Sequence, residues 1–98
     1  MNLSKGINLL LDKKGITQKE LARLIGKSET SVSLMMKGKT QPRKDTLTAI
    51  ADVFEVSPEV LLLLSLDKED VPDERKEYYD ILWPNIEASI LSLFSKDT

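Results

Sequence analysis

The stretch from Ile16 to Gly38 reads ITQKELARLIGKSETSVSLMMKG. Thr17, followed three residues later by Glu20, has the spacing of a capping box. In that motif the hydroxyl accepts from the amide of residue 20, and the carboxylate reaches back to the amide of residue 17. Ile16 before the cap and Leu21 after it make a hydrophobic staple. A helix is therefore expected from Gln18 to about Ile25, with Leu21, Leu24 and Ile25 as its apolar residues. Gly26 ends it, because the residue closing a helix commonly takes positive φ and glycine does so without steric cost. Ser28 caps the next helix, which turns Val32 and Met35 inward and ends near Gly38. With almost no linker between them the two helices must cross closely, and Ala22 is the small residue that permits it.

Upstream, Leu3, Ile7, Leu10 and Leu11 recur at helical spacing, and Gly15 offers a stop after Lys13 and Lys14. Downstream, KGKTQP is turn chemistry. A fourth helix is expected after Pro42, with Leu47, Ile50, Ala51 and Phe54 on one face. Ser57-Pro58 is a cap followed by proline at the first helical position, opening a fifth helix over EVLLLLSL. That run is apolar nearly all round, more than one small core requires, so part of it should meet another surface. DKEDVPDE, beginning at Asp67, reads as a polar, acidic linker; its carboxylates lack the glycine and the spacing of a calcium loop. The last segment, 73–95, is helical, and Pro84 either kinks one helix or opens a second. No strand-like alternation, repeat or low-complexity tract occurs, so the fold class is all-α.

Composition narrows the chemistry. The 98 residues include no cysteine and no histidine, which removes disulfides, thiol chemistry, most zinc sites and imidazole acid–base catalysis. No nucleophile–base pair, phosphate loop or ligand cluster is visible, so neither an enzyme nor a cofactor or metal is expected. The absence of a long apolar run and of a signal-peptide cleavage site points to a soluble, cytoplasmic protein with no membrane partner. The net charge of −2 is unevenly spread. Residues 1–65 hold ten Lys and Arg against seven Asp and Glu, and residues 66–98 hold four against nine. Between residues 13 and 44 the count is nine basic to two acidic, a local +7. That asymmetry predicts a basic working face and an acidic tail.

Thr17 to Ala22, Gly26, Ser28 to Val32, Gly38-Lys39, Pro42 and the run TLTAIADVFEVSPEVLL, in this order and spacing over some fifty residues, resemble the lambda-repressor-like, or Cro/XRE-type, helix-turn-helix family. The resemblance covers about residues 3–65. It implies a compact five-helix DNA-binding domain, with the helix 28–37 placed in the major groove of double-stranded DNA. Members of the family are mostly dimeric transcriptional regulators of phages, mobile elements, restriction systems and toxin–antitoxin operons. By position, Gln18, Lys19, Ser28, Lys39, Thr40, Arg43 and Lys44 fall where the family meets the DNA backbone. Glu29, Thr30, Ser33 and Leu34 fall where it reads bases. Glu29 suits a cytosine amino group, Thr30 either base edge and Leu34 a thymine methyl. Three departures stand out. Lys27 replaces a commonly apolar turn residue, Met36 a usually polar position, and Arg43 the position of a capping serine.

Residues 1–66 thus form the expected helix-turn-helix domain, 67–72 the acidic linker and 73–98 a C-terminal helical segment for dimerisation or interaction. Tyr79, Leu82, Ile86, Ile90 and Leu93 share one stripe of that segment, widened by Trp83 and Phe94. A stripe this wide folds back on the fifth helix, pairs with a second copy, or binds a different protein, as an antitoxin or anti-repressor would. Pairing is favoured, because the fifth helix also carries surplus leucines, Leu62 among them. A homodimer would read two half-sites about 34 Å apart.

Overall fold

The computed structural model describes residues 1–94, and the remaining four residues of the expected C-terminal segment lie outside it. Among the described residues there are six α-helices, two short 3-10 turns and no strand. The helices are α1 (Leu3–Lys14), α2 (Gln18–Ile25), α3 (Glu29–Met36), α4 (Lys44–Val53), α5 (Pro58–Leu64) and α6 (Lys76–Leu93). None is long and apolar enough to cross a membrane.

The helix starts follow local chemistry. The hydroxyls of Thr17, Ser28 and Ser57 accept from the amides of Glu20, Ser31 and Val60 at 3.1, 3.0 and 3.3 Å. The expected capping box of α2 is half formed. Thr17 accepts from the Glu20 amide, but its hydroxyl also turns to the Glu20 carboxylate at 3.4 Å, so that carboxylate caps through the side chain rather than the backbone amide. Asn2, unremarked in the sequence, caps α1 by accepting from the Lys5 amide at 3.2 Å. Arg43 stands at the N-cap of α4 with no side-chain cap bond, as its replacement of a serine implies.

Gly15, Gly26 and Gly38 all take left-handed φ. After α4 the same region is occupied by Glu55, at φ 58°, a conformation that disfavours a side chain.

The core is built from Ile7, Leu10 and Leu11 of α1, Leu21 and Ala22 of α2, Val32 and Met35 of α3, and Ile50 and Ala51 of α4. Phe54 and Val56 add to it, with Leu61 and Leu64 of α5. Leu24, one of the apolar residues of α2, is 48% exposed. It sits one position before Ile25, about 100° round the helix, and so leaves the buried stripe. α1 crosses α5 at Gly6 and Ser65. A Cβ at Gly6 would collide with Ser65 Oγ and lie 3.1 Å from the Leu61 carbonyl oxygen.

The acidic stretch after α5 is ordered rather than loose. Its 3-10 turns span Lys68–Asp70 and Asp73–Arg75, and Asp67 and Asp70 close a reciprocal capping box. The N-terminal ammonium of Met1 pairs with Asp70, which holds that carboxyl below its usual range, helped by the Asp67 amide.

α6 then runs as one helix through Pro84 and folds back on the domain. Trp83 is buried, and Ile90 and Leu91 pack against the core. Tyr79 stacks on Trp83 with ring centroids 5.6 Å apart. Lys5 Nζ lies 5.2 Å from the Trp83 ring and donates to the Leu66 carbonyl at 2.9 Å and to Tyr79 Oη at 3.1 Å. Glu87 accepts from Trp83 Nε1 at 2.9 Å. The apolar stripe expected to serve an interface therefore divides. Trp83 is buried, and Tyr79 and Ile90 are half-buried against the molecule's own body. Leu82, Ile86, Leu93 and Phe94 stay exposed, joined by Tyr78 and Ile81. Leu62 of α5 is half-buried.

Candidate nucleic-acid interface

α2 ends in a Schellman stop. The Gly26 amide donates to Arg23 O at 3.3 Å and the Lys27 amide to Ala22 O at 2.9 Å, so the chain reverses within two residues. Ala22, 1% exposed, lets α3 pass close over α2. Val32 and Met35 anchor α3 from beneath. This fixes which side of α3 faces outward. Thr30 and Leu34 lie on the outer face and Glu29 is exposed at its first turn, whereas Ser33 is half-buried on the flank of the helix. Lys37, one turn beyond Leu34 and two beyond Thr30, shares their face and was missed; its spacing from both was the available signal.

The residues expected at the DNA backbone flank this helix. Gln18 and Lys19 occupy the first turn of α2 and are exposed. Thr17 takes the Glu20 amide, leaving the amides of Gln18 and Lys19 without an intrahelical partner, as at any helix start. The Ser28 hydroxyl accepts from Ser31, which leaves its proton to donate elsewhere. Lys39, Thr40, Arg43 and Lys44 are exposed on the connection between α3 and α4 and at the start of α4. A cleft of about 180 Å³ brings Thr40 and Arg43 against Lys27 and Ser31.

Electrostatics sets this face apart. Four ion pairs occur among the described residues: the Met1 ammonium with Asp70, Lys5 with Glu87, Lys68 with Asp80, and Lys76 with Asp73. All lie at the N-terminus, the acidic turns and α6. The hydrogen-bonded Asp80 carboxylate holds Lys68 above its ordinary pKa. None of the nine Lys and Arg between residues 13 and 44 has an ion-pair partner among the described residues. Among the described residues, the basic face is left without ion-pair partners.

A bihelical unit crossing on a buried alanine, closed by a left-handed glycine and set in a five-helix core, defines a helix-turn-helix protein. A family model described as helix-turn-helix matches residues 7–61. The chain belongs to this family, the Cro/C1-type, lambda-repressor-like group, and the family is one of DNA-binding regulators. No match was found among curated proteins or among solved structures.

Proposed function

We propose that the protein is a cytoplasmic, sequence-specific transcriptional repressor that binds its operator as a homodimer, with α3 in the major groove of each half-site. The observation that carries this reading is the basic face around α2 and α3, which has no ion-pair partner among the described residues. Phosphate is the partner such a face fits, since each contact releases condensed counterions. Gln18, Lys19, Ser28, Lys39, Thr40, Arg43 and Lys44 set the register on the backbone. Glu29, Thr30, Ser33 and Leu34 meet base edges, with Thr30 and Leu34 reaching furthest. The test is a gel shift of the protein on its own upstream DNA across a salt series. Expected are a preferred sequence and an affinity that falls steeply with salt. Binding that ignores both sequence and salt would sink the proposal.

The second copy docks on the outward face of α6, through Leu82, Ile86, Leu93 and Phe94, with Tyr78 and Ile81 beside them. These side chains are exposed on one helix, and an apolar surface of this kind is costly to leave in water. Because Tyr79 and Trp83 seal the molecule's own core, removing α6 would injure the fold as well as any interface. Point substitution is the cleaner experiment. Leu82→Glu should leave the helical fold intact, convert a sedimenting dimer to a monomer and weaken operator binding. Sedimentation of the parent as a monomer at tens of micromolar would falsify the dimer. The same exposed face then favours a different protein as its occupant, as in an antitoxin or anti-repressor.

A further inference from the structure

We infer that Arg23 and Lys27 form, with Lys19, a second phosphate-binding track along α2 and the turn, one that positions the first turn of α3 against the DNA strand bounding the groove. The inference rests on the DNA-binding reading above and adds residues to it.

An open cleft of about 300 Å³ is lined by Lys19, Glu20, Ala22, Arg23, Lys27 and Glu29. Lys19 and Arg23 are four residues apart on α2, hence one above the other on the same face, about 6 Å along the axis. Arg23 stands in the last turn of α2, where the helix dipole favours a cation. Lys27 follows the left-handed Gly26. In a Schellman stop this position usually carries an apolar side chain packed on the residue three from the helix end. Here that residue is Ala22, and Lys27 is exposed. The turn forgoes an apolar contact and keeps a cation in its place.

Two carboxylates, Glu20 and Glu29, border the same cleft, yet neither pairs with any of the three cations. The Glu20 carboxylate is instead held by the Thr17 hydroxyl. The three cations outnumber the two carboxylates of the cleft and form no ion pair with them, so an anion lying along the cations is attracted by the surplus positive charge. The track leads from the first turn of α2 to the first turn of α3, the end at which a recognition helix meets base edges. A strand at that edge of the groove runs along it. Arg23 offers two parallel N–H donors to one phosphate, and Lys27 a mobile point charge to another.

The test uses the intact protein and three variants, Arg23→Gln, Lys27→Gln and the double substitution. All positions are exposed, and unchanged melting curves establish that the fold is kept. Affinity is measured for a selected operator duplex and an unrelated duplex from about 50 to about 200 mM salt. The slope of log K against log salt should fall by about 1 for each single variant and about 2 for the double, with the selected sequence unchanged. Slopes equal to the parent's would overturn the inference and leave these cations to an acidic protein partner. A changed base preference would also overturn it, making the residues readers rather than phosphate anchors. If the parent itself binds neither duplex, the DNA-binding reading fails, and this inference with it; a parent that binds with unaffected variants sinks the inference alone.

Discussion

Gly6→Ala places one methyl group where α1 crosses α5. The added Cβ collides with Ser65 Oγ and comes within 3.1 Å of the Leu61 carbonyl oxygen and the Ser65 amide nitrogen. Ser65 is fully buried, and its hydroxyl donates to the Leu61 carbonyl at 2.8 Å. To make room, the serine must rotate off that bond, which forfeits about 0.5–1.5 kcal/mol, or the helices must part. Overpacking of this kind costs about 1–3 kcal/mol. Alanine returns about 1 kcal/mol through its better helix propensity. The net loss is then up to about 2 kcal/mol, and at about 4–8 °C per kcal/mol for a domain of this size the melting temperature should drop by up to about 15 °C. Thermal unfolding followed by far-UV circular dichroism measures it. Gly6→Ala combined with Ser65→Ala should lose less than the two single changes added together, since the colliding oxygen is gone. A Gly6→Ala protein that melts at or above the parent would refute the tight crossing.

Gly26→Val sets a β-branched residue at φ 72° and should cost about 1–2 kcal/mol, with an unchanged melting curve arguing against a left-handed turn there. Lys5→Ala removes the cation over Trp83, which contributes about 0.5–1 kcal/mol or more where partly desolvated. Amide exchange in α6 should quicken while α2 to α4 hold their protection, and uniform protection across the chain would show that α6 docks without this lysine. Thr30→Ala should change the preferred base at one operator position by about 1–3 kcal/mol, and a site selection that returns the parent's consensus would remove Thr30 from the reading set.

The caps at Thr17, Ser28 and Ser57 and the stop at Gly26 were legible because each is a bond between residues three to five apart. The crossing of α2 and α3 was legible for the same reason, since Ala22 and Gly26 constrain it locally. What escaped the sequence depends on distant partners. Lys5 looks like a solvated charge on α1, yet it meets Leu66, Tyr79, Trp83 and Glu87. That meeting decides which row of α6 turns inward. Tyr79, Trp83 and Ile90 lie on the chosen row, while Leu82 lies one position before Trp83 and about 100° round the helix, so it remains outside. Hydrophobicity alone could not divide the two rows, because both are apolar. The ordering of the acidic segment was hidden likewise, since its 3-10 turns draw on Lys76 donating to the carbonyls of Lys68 and Val71.

These same contacts bear on how an acidic protein of net charge −2 keeps a basic face. A free acidic tail would be drawn to the cations between residues 13 and 44 and would compete there with DNA. Four carboxylates of the described tail are instead committed elsewhere. Asp70 is tied to the N-terminal ammonium, Asp80 to Lys68, Asp73 to Lys76 and Glu87 to Trp83 and Lys5. Exposed pairs of this kind contribute little to global stability one by one. The pairs of Asp70 with the Met1 ammonium and of Glu87 with Lys5 have a larger geometric consequence, because together with the buried Trp83 they tie the acidic turns and α6 to the N-terminus and α1. The cations of α2, the turn and the α3–α4 connection are then left without ion-pair partners among the described residues, and the electrostatic field at the recognition helix follows the local charge of +7 rather than the net charge of the chain.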